Sequence, residues 1–272
     1  VKDTQGIENL ISVSHTTGED LVGALRGHLG DYEVTLRENV RVASLDVKGP
    51  SKSVNLATGE TIKTRTLIFA TGARWRELGV PGERENIGNG VAYCPHCDGP
   101  FFKGKDVAVV GGGNSGIEAA LDLSGIVKSV TVLEFLPSLK ADQVLIDQIN
   151  ARDNISVLTN VATKQIEADG GKVTGITWEQ RDTGDTQTTP LAGVFVQIGL
   201  LPNSQLIAEQ VEVSQHGEVI IDEKCRTSVP GVYACGDVTI VPYKQIVVSI
   251  GEGAKAALAA FEHLLMGEDV AA

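Results

Sequence analysis

The sequence predicts an α/β protein in which short buried strands alternate with helices. Three observations carry this. Glycine is abundant (31 of 272 residues) and aromatics are scarce (4%), which suits tight strand-to-helix turns better than an all-β sandwich. Short apolar runs at 66–73, 105–113, 128–135 and 231–237 end in turn residues and read as buried strands. Helical patterns at 114–126, 140–152 and 244–265 lie between or after them. A chain of 272 residues fits one large domain or two modest ones.

In chain order, Leu21, Val22, Leu25 and Leu29 form a helical stripe over 18–30. Segments 31–47 and 53–70 alternate apolar and polar residues, as a meander of strands does. The stretch 74–90 carries the Gly, Pro and Asn load of a loop. Beyond the helix at 140–152, several strands are expected between 155 and 198, with turns at Gly170-Gly171 and 181–185. The chain closes on the helix at 244–265, and no internal repeat or low-complexity segment is present.

A net charge of −12 without a Lys/Arg cluster argues against a nucleic-acid partner. No apolar run approaches the ~18–20 residues of a membrane-spanning helix. The N-terminus lacks a basic-then-apolar signal pattern, and it does not begin with Met, which points to a processed or truncated chain. Four cysteines do not make a secreted disulfide scaffold, so a cytoplasmic, reducing compartment is expected.

Residues 111–116 (GGGNSG) contain G-x-G-x-x-G in the context that the motif requires: a strand before, a helix after, and a further strand ending in Glu134. Gly111 lets the chain turn sharply, Gly113 lets backbone approach a pyrophosphate, and Gly116 lets helix and strand pack closely. The helix start at Asn114 and Ser115 then presents free N–H groups to the phosphates. Glu134 would accept hydrogen bonds from the adenine ribose and repel a 2′-phosphate, and no Arg or Lys follows at 135–138. This favours NAD over NADP. The alternatives are a ligand-free turn and, for Glu134, a solvated surface charge.

Cys94-Pro95-His96-Cys97 is a C-x-x-C. A zinc knuckle would need a second ligand pair, and Cys225 and Cys235 are too widely spaced. Haem attachment would need His at position 98, which is Asp. A redox dithiol remains, against two unrelated buried thiols. Asp98 could shuttle the proton that thiol exchange moves, or simply cap a turn. A nicotinamide and a disulfide need an intermediary, and a flavin is the usual one. The sequences ATG (70–72) and CGD (235–237) each end a buried strand. Gly236-Asp237 fits a phosphate and ribityl contact, or an ordinary turn. The helix from Lys244 would aim its positive end at the flavin. Cys225 and Cys235 read as packed core residues.

The segments YCPHCDGP (93–100), VAVVGGGNSGIEAALDL (107–123), VFVQIGLLPN (194–203) and GVYACGDVTIVPYKQIVVSIGEGAKAA (231–257) resemble the low-molecular-weight thioredoxin reductase family of two-dinucleotide flavoproteins. The likeness spans essentially the whole chain. CPHC together with Glu134 is similar to the family's peroxiredoxin-reducing branch; thioredoxin reductases proper carry another C-x-x-C interior and basic residues for NADPH. The resemblance implies a Rossmann-like fold with an NAD-binding domain at 93–221 and FAD-domain segments at 1–92 and 222–272. It implies that electrons pass from NADH to FAD to the Cys94–Cys97 disulfide, with Cys97 facing the flavin, Cys94 exchanging with the next acceptor, and Asp98 as acid/base. Gly236, Asp237, Lys244, Gln245 and Ile246 would line the FAD, with Asn9, Thr71 and Gly72 nearby. It further implies an NAD domain that rotates between two poses, a homodimer, and an N-terminal thioredoxin-like module that hands electrons to a peroxiredoxin.

One departure stands out. Family members carry a second dinucleotide fingerprint near the start of the FAD domain, and this sequence has only one. Gly23, Gly27 and Gly30 lie inside a helical pattern with no strand before them. The chain is therefore expected to be a C-terminal fragment with an incomplete FAD domain. It should bind FAD weakly or not at all and be unable to reduce a peroxiredoxin. The competing readings are a thioredoxin reductase, a flavin-free NAD-binding module without turnover, and a zinc-dependent interaction domain.

Overall fold

A computed structural model of the chain describes residues 1, 4 and 6–267. Lys2, Asp3, Gln5 and 268–272, which belong to the expected FAD segments, lie outside the described residues. The chain divides into two compact units. One comprises Val1–Asn9, Val13–Val22 and Trp75–Gly199, and the other Leu10–Ser12, Gly23–Arg74 and Leu200–Ala272. These units run past the domain bounds expected at 93 and 221. Residues 75–92 group with the unit that follows them because Ile166 N–H bonds to the Pro81 carbonyl (2.9 Å) and Val194 N–H to the Gly90 carbonyl (2.8 Å).

Helix α1 (Gly18–Leu29) starts at Thr17, whose hydroxyl accepts the Asp20 N–H (3.1 Å) and donates to the Asp20 carboxylate (2.8 Å). Leu21 is buried, but the rest of the expected stripe, Val22, Leu25 and Leu29, is exposed. The alternation at 31–41 predicts a strand, yet this segment is irregular, with Val34 and Leu36 exposed. A strand needs a neighbouring edge to take its N–H and C=O groups, and 31–40 has no strand partner among the described residues. Pairing begins with β1 (Val42–Asp46), which forms an antiparallel meander with β2 (Lys52–Leu56) and β3 (Thr61–Thr64). Short strands β4 (Leu67–Phe69) and β5 (Ala73–Trp75) follow.

The unit that holds Trp75–Gly199 is built on a parallel sheet with helices on one face and an antiparallel excursion on the other. Its elements are β6 (Val91–Ala92), α2 (Pro95–Asp98), β7 (Asp106–Val110), α3 (Asn114–Ser124), β8 (Ser129–Glu134), α4 (Gln143–Asn150) and β9 (Ile155–Thr159). An antiparallel excursion, β10 (Val161–Asp169), β11 (Lys172–Gln180) and β12 (Thr186–Pro190), precedes the return strand β13 (Gly193–Val196). The parallel sheet has the order β6-β13-β7-β8-β9. Strands buried on both faces must be apolar throughout, and Val107, Ala108 and Val109 are at most 1% exposed. Alternate residues serve opposite faces. Ala108, Val110 and Leu133 pack with Ile166, Ile176 and Trp178 of the excursion, while Val107, Val109 and Val132 pack with Ile117, Ala120 and Leu123 of α3. Each Val, Leu or Ile among them contributes ~1.5–3 kcal/mol on full burial.

In the other unit, β14 (Leu200–Pro202) pairs with β5, and β15 (Val232–Ala234) lies parallel to β4. Its core gathers Leu45, Val47, Phe69, Ile207, Val219 and Val232. Helix α5 (Ile246–Met266) stops at Gly267, which takes the left-handed conformation (φ 65°) that glycine adopts without strain. No helix among the described residues is long and apolar enough to cross a membrane.

Candidate active site

The fingerprint folds as its spacing requires. Gly111 has φ 120°, and a Cβ there would meet the Gln197 backbone. A Cβ on Gly116 would meet the backbone of Gly111, so helix and strand touch at these two residues. A Cβ on Gly113 would meet nothing within 4 Å, which leaves an open cradle at the start of α3. Asn114 and Ser115 lie exposed at that start, and Asn114 ties it to α4 by accepting the Asp142 N–H (2.8 Å). A cavity of about 320 Å³ opens at the carboxyl ends of β7 and β8, walled by Gly111, Glu134, Phe135, Thr163 and Ile198 among others. In open α/β sheets ligands bind at such carboxyl ends.

Glu134 ends β8 and is 7% exposed, so it is not a solvated surface charge. One carboxylate oxygen accepts the Gly112 N–H and the other the Leu136 N–H (2.7 Å). Each oxygen keeps a further lone pair that a hydroxyl can reach. The glycine cradle and this carboxylate fit the pyrophosphate and ribose of a dinucleotide.

Cys94 and Cys97 are joined as a disulfide (Cα–Cα 5.3 Å). Cys94 caps α2, Pro95 opens it, and the Asp98 N–H closes the turn on the Cys94 carbonyl (3.0 Å). Asp98 precedes a 3₁₀ turn at Gly99–Phe102 but makes no side-chain cap to it. Burial pushes its carboxyl up to about 6, with the Cys94 backbone N–H pulling the other way. The dithiol segment packs on the last turns of α3. His96 Nδ1 lies 3.5 Å from the Asp122 carboxylate, and a Cβ on Gly99 would come within 3.1 Å of Leu123. The disulfide and the phosphate cradle therefore sit toward opposite ends of one helix, roughly 12 Å apart along its axis.

In the other unit the two turns expected to face a flavin converge. Pairing of β4 with β15 carries ATG and CGD out side by side, with Cys235 N–H bonded to the Phe69 carbonyl (3.1 Å). Thr71 and Asn203 exchange hydrogen bonds (2.7 and 2.9 Å) that fix Gly72 at φ 65°. Gly236 has φ 73° and packs on Ser249, whose hydroxyl reaches the Asp237 carboxylate (3.2 Å). Gln245 caps α5 and Ile246 opens it. Lys244 ion-pairs with Glu218 (2.9 Å). Positive-φ glycines beside a helix N-terminus fit one end of a flavin. Among the described residues no second strand–glycine-turn–helix is present for the ADP end. Asn9 belongs to the unit that holds the dithiol rather than to this one. Cys225 and Cys235 are buried core thiols. Burial and Glu252, to which Cys225 Sγ donates (3.2 Å), push Cys225 up to about 12.

Two features escape sequence reasoning. Glu83, fully buried, accepts the Tyr93 hydroxyl (3.0 Å) and the N–H groups of Leu78 and Gly79 (2.9 and 2.7 Å). Arg181 stacks on Phe135 (3.8 Å to the ring centroid) and donates to the Phe135 carbonyl (3.0 Å), so a cation from outside 135–138 borders the crevice.

Fold and site together define a Rossmann-type α/β protein of the disulfide oxidoreductase class. Residues 6–253 match the family of pyridine nucleotide-disulphide oxidoreductases. The chain is 53% identical to the F subunit of alkyl hydroperoxide reductase in Pseudomonas putida, over 97% of its own length and 51% of that protein. It is 50% identical to the same-named protein of Escherichia coli K12, with 97% and 51% covered. It superimposes on the crystal structure of thioredoxin reductase from Streptococcus pyogenes with a TM-score of 0.91 at 32% identity, covering 97% of this chain and 86% of that one. The chain belongs to the pyridine nucleotide-disulphide oxidoreductase family and has a thioredoxin reductase-like fold. It spans about half the length of the curated relatives it matches.

Proposed function

We propose that the chain is the NADH-binding and disulfide-bearing part of a peroxiredoxin reductase. The observation that carries this is the placement of an open glycine cradle at one end of α3 and of the Cys94–Cys97 disulfide, carried by α2, against its other end, within one compact unit. In this reading the NAD domain, 93–221 by resemblance, has that unit as its core. The segments at 1–92 and 222–272 build the flavin side. Gly111, Gly113, Asn114, Ser115 and Gly116 hold the pyrophosphate, and Glu134 holds the adenine ribose. Thr71, Gly72, Gly236, Asp237, Lys244, Gln245 and Ile246, with Asn9, serve the FAD. When bound, nicotinamide and flavin together supply a hydride and relay its electron pair toward sulfur. The chain's own residues orient the two groups and move the proton. Asp98 protonates the thiolate that disulfide cleavage releases, Cys97 faces the flavin, and Cys94 exchanges with the next acceptor. In the whole protein that acceptor is a thioredoxin-like module serving a peroxiredoxin, which reduces alkyl hydroperoxides, and the protein works as a cytoplasmic homodimer.

The 272 residues alone favour a second, narrower reading: a nucleotide-binding module without turnover, because one fingerprint serves where two cofactors are needed. Purified chain is then expected to carry no stoichiometric flavin and to gain little on adding FAD. A flavin absorbance band that NADH bleaches would overturn that reading and favour the active enzyme.

Fluorescence titration should show NADH binding about tenfold more tightly than NADPH, a difference of ~1.4 kcal/mol. Glu134 is a buried carboxylate at the carboxyl end of β8, where a 2′-phosphate would meet its charge. Equal dissociation constants would remove the basis for NADH preference.

A further inference from the structure

Tyr93 is fastened from three directions, and each leads to a place where the chain enters or leaves its compact unit. Its ring stacks on Trp75, the first residue of the stretch Trp75–Gly199, with centroids 6.0 Å apart and planes 18° from parallel. Its hydroxyl donates to Glu83 (3.0 Å), and the same buried carboxylate grips the N–H groups of Leu78 and Gly79 just beyond Trp75. Its carbonyl accepts Gln197 Nε2 (2.8 Å), two residues before that stretch ends at Gly199. The residue after Tyr93 is Cys94, the cap of the short helix that carries Cys97.

We propose that Tyr93 is a positioning residue that couples the entry segment 75–83 and the exit segment 197–199 to the redox state of Cys94–Cys97. The proposal rests on the dithiol reading above. Opening the S–S bond releases the two sulfurs from each other, and the proposal is that the shift on the Cys94 side reaches the Tyr93 backbone one peptide bond away. All three contacts are made here with the disulfide closed. In this proposal they fit the oxidised pair better than the dithiol, so loosening them shifts the equilibrium toward the dithiol. Coupling of this kind is reciprocal, so force applied to either segment eases reduction.

The test equilibrates the oxidised 272-residue chain with graded ratios of reduced to oxidised dithiothreitol. Each dithiothreitol that reacts gives up two electrons and two protons and closes into a cyclic disulfide, while the Cys94–Cys97 bond opens to two thiols. Alkylation followed by peptide mass counts these thiols separately from Cys225 and Cys235. Tyr93→Phe and Glu83→Gln are each expected to raise the equilibrium constant for reduction about threefold or more, and the double variant less than the product of the two, because both act on the Tyr93–Glu83 hydrogen bond. If Glu83→Gln does not fold, Trp75→Leu takes its place with the same expected shift. A merely structural role lowers stability in both redox states and leaves this equilibrium alone. Unchanged equilibria, or shifts that add in the double variant, overturn the proposal. A native pair that cannot be reduced and reoxidised at all overturns the dithiol reading itself.

Discussion

Gly116→Val is expected to remove about 3 kcal/mol or more of stability and to abolish NADH binding. A Cβ at this position would stand 2.7 Å from the Gly111 carbonyl carbon and closer still to its oxygen. Neither side can give way. Gly111 turns at φ 120°, and its own Cα is pressed against the Gln197 backbone, so the turn is boxed between α3 and β13. The helix must then lift from the sheet and take Ile117, Ala120 and Leu123 with it, all of them fully buried. A loss of this size is a large share of the ~5–15 kcal/mol that holds a typical domain together. Gly113→Ala is the matched control. Its Cβ meets nothing within 4 Å and its φ is −83°, so the urea midpoint should hold while the methyl group blocks the cradle and weakens NADH. Near-native stability of the valine variant would mean that helix and strand do not meet at Gly116.

The nucleotide half of the site is legible in sequence because its signals are local and agree. An apolar strand, three glycines, a helical pattern and an acidic residue at the next strand end all fall within 105–134, and each folds where the spacing puts it. Where the outcome depends on distant partners, legibility fails. Residues 31–41 alternate as well as β1 does, yet they stay irregular for want of an edge to pair with. Glu134 is placed by its motif, but its burial comes from the Gly112 and Leu136 amides that close around it. Arg181 reaches Phe135 from the far end of the excursion, so no window around Glu134 reveals it. No local pattern joins Glu83, Tyr93 and Gln197, and two tertiary hydrogen bonds make them one device. The turns ATG and CGD are visible separately, but their meeting depends on the parallel pairing of β4 with β15. Local pattern thus shows which chemistry is present, and long-range pairing decides what stands beside it.

Asp98→Asn is expected to slow reduction of the Cys94–Cys97 disulfide about a hundredfold at pH 5 while making the chain more stable at pH 7. Burial raises the Asp98 carboxyl from 3.8 to about 6. Cleaving a disulfide expels a thiolate, and a protonated carboxyl beside the turn can supply its proton. The native rate, corrected for the thiolate fraction of dithiothreitol, should therefore be highest below pH 6 and fall as pH rises through that value, whereas the asparagine variant should be flat. The stability effect has the opposite sign. The native pKa lies above the unfolded one, so the folded chain binds more protons between about 3.8 and 6, and its stability falls as pH climbs through that window. At pH 7 the buried charge then costs up to ~3 kcal/mol. Asparagine carries no charge and escapes that cost, so urea midpoints should be higher than native at pH 7 and similar near pH 4. A variant that is slower yet more stable marks a group held in an unfavourable state for its chemistry. A variant that is less stable at pH 7, or that keeps the native pH–rate profile, would return Asp98 to the role of an ordinary turn residue.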